Sequence, residues 1–98
     1  MFVVYQIVDP VTTEIIYFGR SKDIDKREYQ HNQLCKTGFD KELYNYWNEH
    51  HPGLDMVLEP IYQCKTEVES KQYEMYCILD WKFRVGKKLY NKIPRIRD

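Results

Sequence analysis

The chain opens with FVVYQIV at residues 2–8, a β-branched and aromatic run that reads as a strand. Asp9-Pro10 punctuates it, and VTTE makes a short connection to a second apolar run, EIIYFG, at residues 14–19. Two strands this close pair as an antiparallel hairpin. Gly19 ends the second strand, where the backbone needs freedom from a Cβ. The period then changes. Ser21 is a candidate N-cap, and Asp23 and Asp25 favour the first turn of a helix running from Lys22 to Leu34. Its apolar face is thin, limited to Ile24, Tyr29 and Leu34. Arg27 and His31 stand four residues apart and share a face. A second helix is predicted from Asp40 to His50, with Leu43, Tyr44, Tyr46 and Trp47 as its apolar bulk, and Pro52-Gly53 breaks it.

Residues 54–64, LDMVLEPIYQC, predict a third strand, which Pro60 restricts to an edge or a bulge. Thr66 followed by Glu69 is a capping-box pattern, opening a helix from Glu67 to Phe83. Val68, Met75, Tyr76 and Leu79 fall near helical spacing and are expected to face the core. Gly86 lies just past this helix, and Pro94 disfavours regular structure in the tail. The order β-β-α-α-β-α predicts a small α/β (α+β) sandwich, with a mainly antiparallel three-stranded sheet flanked by helices.

Length and composition narrow the class. Ninety-eight residues suit one domain spanning 1–98, with residues 81–98 as its basic tail. An apolar fraction of 43% with 31% charged residues is that of a folded chain, not a disordered one. No run approaches a membrane span, and the N-terminus lacks the marks of a signal peptide. Cys35, Cys64 and Cys77 are odd in number and form no CxxC pair, so reduced thiols in a cytoplasmic setting are expected and a structural zinc site is not. The formal charge is zero but unevenly placed. Residues 1–80 carry 8 Lys and Arg against 14 Asp and Glu, whereas residues 81–98 carry 7 against Asp98 alone. The basic end can track a phosphate backbone, or it can be a solvated terminus.

Candidate chemistry lies in a set of short motifs. Val3-Val4-Tyr5 and Tyr17-Phe18-Gly19 sit on the two predicted strands, with eleven residues between the tyrosines. Arg27 follows on the next helix and His31 one turn later. Glu74, four residues before Ile78, lies on the last helix, and Tyr90-Asn91 closes the series. In this order the motifs resemble those of the GIY-YIG nuclease family, and the likeness runs from Val3 to Asn91. A histidine at the place of His31 is a feature of phage homing members. Val3 stands where the family carries glycine, and Phe18 stands where it carries isoleucine.

The resemblance implies an endonuclease that hydrolyses DNA phosphodiesters with one Mg²⁺ or Mn²⁺ per site. Glu74 would ligate the metal, a hard ion that prefers oxygen. Arg27 would fork onto phosphate oxygens. Tyr5 would position or deprotonate the attacking water, with Tyr17 as its partner. A phenol acting as base needs a pKa below its usual value of about 10. His31 would take the proton or hold the phosphate, and Gly19, Ser21 and Asn91 would support the site. Arg20, Lys22, Lys87, Lys88 and Lys92 are the candidates for backbone contact with DNA. One site per chain implies nicking. The chain ends soon after Asn91, so sequence specificity is expected to be weak or supplied by a protein partner. A phage or mobile-element type would place the enzyme in the host cytoplasm.

Each residue also has an ordinary reading. The tyrosines suit half-buried strand positions, Arg27 a solvated helix beside Asp23, Glu74 a solvated helix charge and Asn91 a turn. His50-His51 before Pro52 reads as loop, and the cluster Tyr44, Tyr46 and Trp47 reads as core. The alternative to an enzyme is a catalytically weak module of the same fold that binds nucleic acid or protein.

Overall fold

The computed structural model describes residues 1–91. Lys92 and Pro94, with the rest of the tail, lie outside the described residues. The elements are β1 (Phe2–Val8), β2 (Ile15–Ser21), α1 (Ile24–Lys36), α2 (Glu42–His50), β3 (Glu59–Cys64) and α3 (Glu67–Asp80), continued by a π-helical stretch at Trp81–Val85. The three strands form an antiparallel sheet in the order β2-β1-β3, so the α+β architecture and the order of elements are as expected.

The hairpin is organised by Asp9. Its Oδ1 accepts the backbone N–H groups of Val11 (2.8 Å) and Thr12 (3.0 Å), an Asx-type turn that closes the connection. Its Oδ2 accepts from the Tyr46 hydroxyl and lies 2.9 Å from His51 Nε2, tying the hairpin to the end of α2. Asp9 is 1% exposed. Burial alone would raise its pKa, but these hydrogen bonds hold the carboxyl below its ordinary range. His51 is thereby occupied as a buried structural partner, in keeping with the loop reading of His50-His51.

Alternation along β1 sends Tyr5 and Ile7 to one face of the sheet and Val4 to the other. The first face meets α1 and α2 in a cluster containing Ile16, Tyr17, Cys35, Leu43, Tyr44, Trp47, Met56 and Leu58. Leu43 and Ile7 are fully buried, each worth roughly 1.5–3 kcal/mol of transfer free energy. On the other side, Phe18 meets Trp81 edge to face at 6.3 Å, and α3 packs against all three strands.

Several expected boundaries and faces change. The second strand does not end at Gly19 but continues to Ser21. Ser21 is not the cap of α1. Asp23 is, with its carboxylate accepting the Lys26 N–H, and the helix starts at Ile24. The second helix begins at Glu42 and not Asp40. The third strand begins only at Glu59, because side chains of α1 claim the preceding backbone. Asn32 brackets Met56 with bonds to its N–H and C=O, and Glu28 accepts the Leu58 N–H at 3.0 Å. Pro60 sits on an edge strand beside a register shift, satisfying both of its expected roles.

The α3 face is the largest correction. Val68, Met75 and Tyr76 are exposed at 65%, 47% and 63%, and Leu79 is only partly covered. The inward stripe is instead Ser70, Glu74 and Ile78, spaced by four. Apolar residues surround this helix on several sides, so their spacing alone does not choose the phase. The α-helix also stops at Asp80 rather than Phe83.

Candidate active site

The site gathers around β2, an edge strand reached from both faces of the sheet. Tyr5 on β1 pairs with Gly19 on β2. The Tyr5 ring lies directly against this glycine. A Cβ built on Gly19 would fall 2.3 Å from both Cζ and Oη of Tyr5. The glycine is therefore required by close approach of a ring, and not by backbone freedom at a strand end.

Behind Tyr5, a chain of polar rings crosses the core. Tyr5 Oη lies 2.8 Å from His31 Nε2, and His31 Nδ1 lies 2.7 Å from Tyr44 Oη. His31 is completely buried. Burial, with the nearby charges of Arg27 and Lys41, pushes its pKa down to about 3. A neutral imidazole has one donor and one acceptor nitrogen, so it pairs with both phenols at once. No face of it is open to a phosphate, and its charge is absent at neutral pH.

Tyr17 stands beside Tyr5, with ring centroids 6.3 Å apart. It lines a cleft of 550 Å³ together with Phe39, Lys41, Glu74, Tyr90 and Asn91. Tyr5 is 1% exposed and Tyr17 9%, so Tyr17 forms the cleft wall and Tyr5 the layer beneath it. Both phenols are pushed above their ordinary pKa, chiefly by burial, and Arg27 beside them opposes the shift. The lowered pKa expected of a phenolic base is thus not present in either residue. Arg27 also reaches Gln30 Oε1 at 3.5 Å.

Glu74 comes from α3, on the opposite side of the sheet from α1. Its carboxyl is raised above its ordinary pKa by burial, and Arg20 partly offsets the rise. Arg20 lies 3.9 Å from Glu74 and 3.6 Å from Glu67, so this cation is engaged with two carboxylates. Two other expected DNA-contact residues are engaged as well: Lys87 pairs with Glu14, and Lys88 pairs with Glu42 at 2.6 Å. Lys22 and Ser21 line a separate groove beside Arg27.

Asn91 completes β2 from outside the sheet. Its Oδ1 accepts the Phe18 N–H at 2.8 Å and its Nδ2 donates to the Phe18 carbonyl, as a neighbouring strand would. The preceding residue repeats the device: the Tyr90 N–H donates to the Ile16 carbonyl at 2.8 Å, and the Tyr90 ring stacks on Tyr46. Lys41 is the cleft residue that motif spacing does not reveal. Its Nζ donates to Tyr17 Oη at 3.3 Å and sits over the Tyr17 and Tyr44 rings. It lies in the loop before α2, so only the folded chain brings it to the phenols.

Among the described residues there is no cluster of three or more His, Cys, Asp or Glu side chains that could cage a metal. Glu74 offers one hard carboxylate at the cleft wall. That donor set suits an ion such as Mg²⁺, which keeps several waters and takes one or two protein carboxylates. It does not suit zinc, which asks for a closed set of nitrogen and sulfur ligands.

Residues 1–90 match the profile of the GIY-YIG catalytic domain. No curated protein and no solved structure gives a significant match.

Proposed function

Because the chain belongs to the GIY-YIG family of nucleases, we propose that it is a divalent-metal-dependent DNA endonuclease that nicks one strand per binding event. The observation that carries this reading is convergence around one edge strand. Arg27 from α1 lies beside the phenols of Tyr5 and Tyr17, while Glu74 from α3 shares the cleft wall with Tyr17. A phosphodiester bears negative charge that grows in the transition state, so a fixed cation and an ion-binding carboxylate flanking a water-orienting group form a hydrolytic set.

Glu74 would hold Mg²⁺ or Mn²⁺, which when bound neutralises phosphate charge and makes water more acidic. Arg27 would hold the non-bridging oxygens as a permanent cation. Tyr17 presents its hydroxyl from the cleft wall and Tyr5 supports it from beneath, both as neutral hydrogen-bonding groups that orient water. His31 is a positioning residue, fixing the Tyr5 hydroxyl through Nε2 and being fixed in turn by Tyr44. Asn91 holds the Phe18 backbone between Tyr17 and Gly19, and Arg20 holds the Glu74 carboxylate. The histidine one turn after Arg27 supports a phage or mobile-element type, acting in the host cytoplasm.

Plasmid nicking at low salt tests the reading, with Mg²⁺ or Mn²⁺ against EDTA. Wild type is expected to nick only with metal. Glu74→Ala and Arg27→Ala are each expected to lose about a hundredfold or more in rate. A folded wild type that cuts no single-stranded, double-stranded or branched DNA would sink the proposal.

A further inference from the structure

We infer that DNA reaches the centre along a cationic groove on α1, and that Lys22 and Lys26 hold phosphates flanking the one under attack. The inference rests on the nuclease reading above and adds the path of the bound strand. It departs from the charge distribution along the chain, which points to the basic C-terminal end.

The groove has a volume of 560 Å³ and is lined by Ser21, Lys22, Asp23, Lys26, Arg27 and Gln30. It opens directly from Arg27, the cation beside both site phenols. Among the described residues, neither Lys22, Lys26 nor Arg27 forms an ion pair, although a carboxylate lies within the same groove. That carboxylate, Asp23, is committed to capping: it accepts the Lys26 backbone N–H at 3.1 Å. Lys22 and Lys26 are both exposed. Their charges are therefore available to a polyanion without breaking an existing contact.

Other cations among the described residues differ. Lys87 and Lys88 are tied to Glu14 and Glu42, Arg20 to Glu67 and Glu74, Lys71 to Glu67, Arg84 to Asp80 and Lys36 to Asp55. Each would have to give up a carboxylate to take a phosphate. Lys65 and Lys82, which also lack an ion pair among the described residues, sit at opposite ends of α3 and form no groove together. Three cations in one groove, none of them paired with a carboxylate among the described residues, are what a phosphodiester backbone recognises, because each neutralised phosphate releases condensed counterions. The cleft beside Tyr17, with Glu74, Asp40 and Glu42 in its lining, is less suited to that role.

The test separates binding from cleavage. Anisotropy of a short fluorescein-labelled duplex is measured in EDTA over a range of salt, with melting curves to show that each variant is folded. Lys22→Gln/Lys26→Gln is expected to weaken binding and to flatten the slope of log affinity against log salt by about 1.8, roughly 0.9 for each phosphate that is no longer neutralised. Lys22→Glu/Lys26→Glu should weaken it further. Lys87→Gln/Lys88→Gln should leave the slope unchanged. An unchanged slope in the first pair, a flattening confined to the Lys87/Lys88 pair, or no duplex binding by wild type at low salt would each overturn the groove. Metal-dependent nicking by wild type, assayed separately, decides the nuclease reading whichever way the groove falls.

Discussion

Gly19 shows how far one missing carbon reaches. Its place in the motif is visible in the sequence, but the reason for it is the Tyr5 ring pressed against its Cα across the β1–β2 ladder. Adding a methyl group forces either the ring or the strand to move, since ring atoms would lie 2.3 Å from the new Cβ. Gly19→Ala is expected to lose about 1–3 kcal/mol of stability in urea unfolding, the usual cost of overpacking a filled site. It should also slow nicking, because the Tyr5 hydroxyl leaves its partner His31. Wild-type stability in that variant would show that the ring has room to spare. Glu74 illustrates the converse. Its carboxyl type is legible in the chain, while its inward direction follows from the phase of α3 and the pull of Arg20.

At the level of elements, β2 is an edge strand whose outer side is satisfied by residues far away in sequence. Asn91 supplies an acceptor and a donor to Phe18, as a neighbouring strand would. Asn91→Ala leaves a nearly buried N–H and C=O without partners, a cost of about 1–3 kcal/mol. Hydrogen exchange at the Phe18 amide should accelerate, and Asn91→Asp, which keeps an acceptor for that amide, should protect it partly. Exchange at the wild-type rate in Asn91→Ala would remove Asn91 from this role. The same rule of obligatory partners explains the short β3. Backbone from Met56 to Leu58 finds its partners on the side chains of Asn32 and Glu28, so it does not join the sheet.

For the molecule as a whole, buried ionisable groups couple folding to pH. His31 drops from an ordinary value of 6.5 to about 3, so between these values the unfolded chain binds a proton that the folded chain refuses. Stability is then full above about pH 6.5 and falls as pH falls toward 3. Asp9, held below its ordinary 3.8 by hydrogen bonds that outweigh burial, adds a loss below that point. Glu74 has the opposite sign, since burial raises it above 4.5 and protonation there relieves a cost. Between about pH 6.5 and 5 His31 contributes an expected loss of about 2 kcal/mol, opposed by the rise at Glu74. Urea midpoints across that range should fall further in wild type than in His31→Gln. Equal pH profiles in the two proteins would contradict a neutral, enclosed His31.

By itself the sequence determined the hairpin, the order of the elements and the series of motif residues, because strand composition, turn residues and short spacings act locally. It also marked Pro60 for an edge and Thr66 for a cap, where the preference belongs to the residue itself. Tertiary structure decided which face of α3 turns inward, since apolar residues around that helix permit more than one phase and only packing against the three strands selects Ser70, Glu74 and Ile78. It decided that His31 is enclosed and uncharged, because burial is a property of the surroundings and not of the imidazole. It brought Lys41 to Tyr17, and it set Lys87 and Lys88 against carboxylates while leaving Lys22 and Lys26 beside Arg27. Charge along a chain is a count, whereas charge available to a ligand depends on what the fold has already placed beside it.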